Sequence, residues 1–134
     1  MILPNDTTVA VADGENLRLF RNKGHEPHIE LVALDTPDMD ADSRDSGGRH
    51  RSVSANPDRS RLKEDAFAAA VAETLKSEVL AGRITALYVI ADPRSLGEIR
   101  RHYHTEVQAK LVGELAKDLT RASVETIASA ISKA

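Results

Sequence analysis

Ile84-Thr85-Ala86-Leu87-Tyr88-Val89-Ile90-Ala91 decides how this chain folds. The stretch is nearly all apolar, with no polar residue recurring every second position. That pattern is expected of a strand covered on both faces, and so of one in the middle of a sheet. The elements on either side must then supply the cover.

Upstream, Phe67, Val71, Leu75 and Val79 step by four. With Leu62, Ala66 and Ala70 they predict one apolar stripe on a long helix. Asn56-Pro57 offers its early cap, and Gly82 closes it in the left-handed conformation. Downstream, Ser95-Leu96-Gly97-Glu98 has the spacing of a capping box, in which the serine hydroxyl and the glutamate carboxylate each satisfy the other's end of the first helical turn. Leu96, Ile99 and Tyr103 line the short helix it opens. Residues 105–109 then read as helix and 111–115 as a strand. Val124, Ile127, Ala128 and Ile131 form a final amphipathic helix capped by Ser123.

Toward the amino terminus the period changes to two. Residues 8–13 read as a strand, and Asp13-Gly14-Glu15-Asn16 as a turn, with Gly14 free to take a positive φ. Residues 17–21 return with Leu17 and Leu19 on one face. After a turn at Asn22-Lys23-Gly24, residues 28–34 alternate Ile29, Leu31 and Ala33 with Glu30, Val32 and Leu34. Three sequential strands with short turns predict an antiparallel meander. From 35 to about 60 no apolar period survives, and Asp, Ser, Arg and Gly dominate. Loops this long are either functional or disordered. Both readings stand, and high mobility over 38–58 is expected because the segment has little to bury. The element order is β-β-β-α-β-α-β-α, that of a ribonuclease H-like α/β fold with a mixed five-stranded sheet. The expected strand order is 3-2-1-4-5, with only the second strand antiparallel to the rest and right-handed crossovers.

The 134 residues fit a single domain, 1–134, large enough for a core without staples. There is no cysteine, which excludes disulfides and thiolate metal sites. Met1-Ile2-Leu3-Pro4-Asn5-Asp6 has no signal-peptide pattern, and no apolar run reaches the roughly 20 residues that span a bilayer. A cytoplasmic location without membrane insertion is expected. A net charge of −3 argues against a free nucleic-acid binder, although Arg49, Arg51, Arg59, Arg61 and Lys63 follow the acidic Asp35, Asp38, Asp40, Asp42 and Asp45. Two Phe, two Tyr and no Trp leave little for stacking bases.

Several residues carry candidate chemistry. Gly47-Gly48-Arg49-His50-Arg51 could bind phosphate through flexible glycine N–H groups and the arginine fork, or be a solvated loop. Asp13 and Asp92 would end neighbouring parallel strands at one edge. There they could hold Mg²⁺ or Mn²⁺ for phosphodiester cleavage, with Glu64 or Glu73 as a third carboxylate. The alternative makes Asp13 a turn residue beside Gly14, and Asp92 a turn or cap residue before Pro93. Arg94 and Arg100 flank a short helix and could grip an anion at its start; Arg100 could instead pair with Glu98 or Glu106. His102 and His104 share a face only if extended, and no third zinc ligand accompanies them. His25 and His28 lie near a turn. No nucleophile elbow, P-loop or dinucleotide fingerprint occurs.

Three stretches carry a family resemblance: Val11-Ala12-Asp13-Gly14 with Arg18-Leu19-Phe20, Ala91-Asp92-Pro93-Arg94-Ser95-Leu96-Gly97-Glu98-Ile99-Arg100, and Lys117-Asp118-Leu119-Thr120. Together they resemble the bacterial host-attachment protein family, which is similar in fold to the middle domain of archaeal and eukaryotic peptide-chain release factors. The resemblance implies a link to attachment of bacteria to host cells. In the release factors a Gly-Gly-Gln loop precedes the long helix and promotes hydrolysis of peptidyl-tRNA. Gly47-Gly48-Arg49-His50 occupies the comparable stretch here, and Arg49 replaces the glutamine, so release activity is not carried over. The expectation is a non-catalytic binding domain without cofactor, associated with RNA, the ribosome or a protein partner. Its rivals are a metal-dependent nuclease or phosphatase using Asp13 and Asp92, and a structural or regulatory interaction domain. Homo-oligomerisation stays open.

Overall fold

Thr8–Ala12 (β1) and Leu87–Ala91 (β4) run side by side and parallel in the computed structural model, which describes residues 1–37 and 57–134, with the backbone alone for 57–60. Every residue of both strands is buried. Leu17–Asn22 (β2) pairs antiparallel with β1, and Leu31–Leu34 (β3) antiparallel with β2. Leu111–Ala116 (β5) pairs parallel with β4. The sheet order is β3-β2-β1-β4-β5, so only β2 opposes the others, and of the apolar run at 84–91 the last five residues form the interior strand. The strand is shorter than the expected 84–91: Ile84 is buried but precedes it, and Thr85 is exposed.

Side chains on successive strand residues point to opposite faces. Ala10, Ala12, Leu17, Leu19, Leu87, Val89 and Ala91 form one cluster with three helices. These are Pro57–Leu80 (α1), Pro93–Arg100 (α2) and Thr105–Lys110 (α3). Val9, Val11, Phe20, Tyr88 and Ile90 form a second cluster with Leu3 and with Ile127 and Ile131 of Val124–Lys133 (α4). The sheet is therefore covered on both faces, as parallel strands require.

Local chemistry explains the boundaries. Helix α1 buries Phe67, Val71, Leu75 and Val79 as the four-residue step predicts, but Leu62 is 60% exposed and Ala66 is also exposed; Ala68 and Ala72 join the stripe in their place. The helix ends with Gly82 at φ 82°, its N–H donating to Val79 O while the Arg83 N–H reaches Glu78 O. That pairing is the Schellman closure. Arg83 adds a two-pronged bond to the Glu78 carboxylate at 2.9 and 2.8 Å, which lowers the glutamate's pKa. Ser123 caps α4, its Oγ accepting from the Thr126 N–H.

Four expectations need correction. Helix α2 starts at Pro93, not at a Ser95 box: Asp92 is the cap, its Oδ2 accepting from the Ser95 N–H at 3.1 Å. Proline at the first helical position has its φ preset, and Asp92 fills the cap before Ser95 can. Two short helices, α2 and α3, separate β4 from β5 where the expected order had one. Gly14 does not take a positive φ. It is a place of close approach, where an added Cβ would lie 2.9 Å from Glu64 Cγ.

The fourth correction concerns β3, which begins at Leu31, not at His28. The ladder with β2 stops at Asn22; beyond it one backbone bond remains, from the Lys23 N–H to Glu30 O at 2.8 Å, and the Asn22 side chain holds the neighbouring groups. Its amide donates to Leu3 O and Pro4 O, and its oxygen accepts from the Gly24 and Glu30 N–H groups, at 2.9–3.2 Å. Asn22 is fully buried and uses all four of its bonding positions. Asn22→Ala leaves buried backbone groups without partners and should cost roughly 2–3 kcal/mol. In a thermal melt that is a fall on the order of 10 °C. Asn22→Asp should do no better, because it loses both donors and buries a charge. A melt within a degree or two of wild type for either variant would show that this network is dispensable.

Candidate functional site

Parallel register brings the ends of β1 and β4 together: Ala12 pairs with Ala91, so Asp13 and Asp92 leave the sheet at the same edge. The sequence placed them there for metal chemistry or for local bonding. The geometry gives each carboxylate a local set of donors. Asp13 Oδ1 accepts from the Glu15 and Asn16 N–H groups at 2.7 and 2.6 Å, while Oδ2 accepts from the Thr120 hydroxyl at 2.9 Å. Burial alone would raise the Asp13 pKa. The Glu15 N–H, the Thr120 hydroxyl and the Asn16 N–H and amide outweigh it and hold the carboxyl below its ordinary value. Asp92 caps α2.

Thr120 links this edge to the C-terminal part of the chain. It is 5% exposed, and its hydroxyl lies 2.9 Å from Asp13 Oδ2 and 3.0 Å from Asp118 Oδ1. One hydroxyl proton is shared between two carboxylate acceptors. Arg18 fixes the backbone of the same segment, donating to Thr120 O and Ala122 O at 2.9 Å while its guanidinium rests 4.8 Å from the centre of the Phe20 ring. Its charge is thus spent on carbonyls and an aromatic face.

Glu64 and Glu73, considered as third carboxylates, are placed differently. Glu64 reaches the Gly14 turn, and its Oε1 lies 3.8 Å from Arg94 Nε. Glu73 pairs with Lys76 on α1. Among the described residues no three or more His, Asp or Glu side chains come together as a metal site. Arg94 donates to Asp65 at 3.0 Å, tying the start of α2 to α1. Arg100 bonds Glu114 at 2.7 Å on β5, not the nearby Glu98 or Glu106. Glu98 is taken by Arg101. The Tyr103 hydroxyl donates to the other Glu114 oxygen at 2.9 Å. Burial, then this contact, pushes the Tyr103 pKa well above its ordinary value.

His104 Nδ1 caps α3, accepting from the Glu106 N–H, and His102 lies 3.8 Å from Glu98. His28 donates its backbone N–H to His25 O. Gly47, Gly48, Arg49, His50 and Arg51 lie outside the described residues. Thr120, Arg18, Asp118 and Glu114 had no assigned chemistry in the sequence, although two of them fall in the Lys117-Asp118-Leu119-Thr120 motif. The edge is acidic on balance, with Asp13, Glu64, Asp65, Asp92 and Asp118 beside the engaged Arg18 and Arg94. Around Asp13 and Asp92 such a surface disfavours phosphate.

Comparison with known proteins gives one family. The family model of bacterial archaeo-eukaryotic release factor family 12 matches residues 6–131. No curated protein matches the chain.

The Asp13 geometry predicts that Mn²⁺ leaves the melting temperature of wild type and of Asp13→Asn unchanged. A metal-dependent rise confined to wild type would mean that the carboxylate binds a cation. A carboxyl with a depressed folded pKa contributes stability above its unfolded pKa and loses it as pH falls through the folded one. Wild type should therefore exceed Asp13→Asn slightly at neutral pH. The gap should close below about pH 4, near the ordinary aspartate pKa. A gap that persists unchanged at lower pH would contradict the bonding described.

Proposed function

This chain belongs to bacterial archaeo-eukaryotic release factor family 12, and from that premise we propose that it is a non-catalytic binding domain associated with RNA or the ribosome. The observation that carries the reading is a match over residues 6–131, joined to an edge whose carboxylates serve a turn and a helix cap. A nuclease or phosphatase would need Asp13 and Asp92 free to take a cation. Thr120 and two backbone N–H groups already hold Asp13, and Asp92 holds α2, which speaks for binding over catalysis.

The strand order and the helices on both faces support a ribonuclease H-like assignment of the fold. Arg94 and Arg100 act in this reading as braces between elements, because each is already paired with a carboxylate. Arg49 and Arg51, with Gly47, Gly48 and His50, supply the basic composition expected of an RNA-facing segment. A cytoplasmic setting follows from the same reading, and no described helix is long and apolar enough to cross a membrane. A link to host attachment would be indirect.

Sedimentation of cell extracts through sucrose tests the association. The protein should travel with ribosomal particles, and nuclease treatment should release it. Partners that survive nuclease would favour a protein-interaction domain. Purified protein added to ribosomes carrying peptidyl-tRNA should release no peptide. Release that disappears in Arg49→Ala would overturn the non-catalytic reading.

A further inference from the structure

We infer that the cleft between α4 and the segment after β5 binds phosphate groups of an RNA backbone, an assignment that rests on the RNA association proposed above. The cleft has a volume of about 380 Å³. One wall is the outer face of α4, where Thr126, Ser129, Ala130 and Lys133 recur at helical spacing beside the buried Ile127 and Ile131. The other wall is Lys117, the first residue after β5, with Leu119.

Charge selects the ligand. Lys117 and Lys133 are exposed and face the same cleft, and neither forms an ion pair with a described residue. Of the neighbouring acids, Glu114 is paired with Arg100 and Tyr103, and Asp118, bonded to Thr120, keeps its charge but does not line the cleft. Glu125 alone opposes them in the cleft. Two ammonium groups beside two hydroxyls suit an anion with several acceptor oxygens.

The hydroxyls add direction. Ser123 Oγ donates to Thr126 Oγ1 at 2.9 Å, so the Thr126 hydroxyl, which lines the cleft, keeps its own proton to donate. Phosphate contacts of this kind position a nucleic acid without reading its sequence. No aromatic side chain lines the cleft, so stacking contributes nothing to recognition.

The test uses a fluorescein-labelled oligouridylate of about a dozen nucleotides, a length within the usual single-strand site sizes, with affinity read by anisotropy over a salt series. Lys117→Ala with Lys133→Ala should weaken binding about tenfold or more and flatten the log–log salt slope by about 1.4, the value for two single-strand phosphates. Lys117→Arg with Lys133→Arg should restore both, and Glu125→Gln should tighten binding. Unchanged affinity and slope in the double alanine variant overturn the cleft assignment while RNA association stands. Wild type that binds no oligouridylate yet sediments with ribosomes likewise overturns the cleft alone. Loss of both activities in wild type overturns the cleft and the proposed function together. Circular dichroism melts of the variants separate these outcomes from unfolding, because both lysines are exposed.

Discussion

Parallel pairing of β1 with β4 imposes a demand that the other elements meet. Two adjacent strands buried along their whole length expose no face to water, so each side needs its own layer of helix. A parallel partner also cannot follow through a tight turn, and the chain must leave the sheet and return. Helix α1 lies on that return path. The two faces are built unequally. Ala10, Ala12 and Ala91 share their cluster with Ala68, Ala70 and Ala72 of α1, small residues that let helix and sheet approach closely. On the other face Phe20, Tyr88 and Ile90 stand tall, and α4 meets them with isoleucines. A one-residue slip of either strand would exchange the two sets of side chains between the faces, which fixes the register.

The centre of this arrangement was legible because it depends on apolar pattern alone. The apolar run that ends in Leu87–Ala91 and the four-residue step from Phe67 to Val79 are signals that tertiary context reinforces. The margins were less legible, since several local signals compete there. Asp92-Pro93 and Ser95-to-Glu98 are both valid helix starts, and the proline decided between them. In β3 the alternation continued to His28, but past Leu31 a buried side chain, Asn22, takes the Gly24 and Glu30 N–H groups and a single backbone bond, Lys23 to Glu30, is left. No window on the sequence shows that an asparagine will be buried with four partners.

The candidate site divides in the same way. Sheet register placed Asp13 and Asp92 at one edge, and short-range rules for turns and caps described their bonds. What the sequence withheld was every partner from far along the chain. Thr120 reaches Asp13, and Glu114 draws Arg100 from the nearer Glu98. The edge also changes character across the strands: β1 and β4 are followed by Asp13 and Asp92, whereas β5 is followed by Lys117.

The bonds that Thr120 and Ala122 make to Asp13 and Arg18 join positions 102 to 107 residues apart. Contacts of such separation form late, because the intervening chain must first be ordered. On a ribosome, the Asp13 turn and the first hairpin can form while most of the chain is still unmade. They acquire their clamp only when the stretch around Thr120 has left the exit tunnel. The closing of this one edge therefore requires that synthesis has run past Thr120, and in an incomplete chain the Asp13 turn keeps only its local bonds.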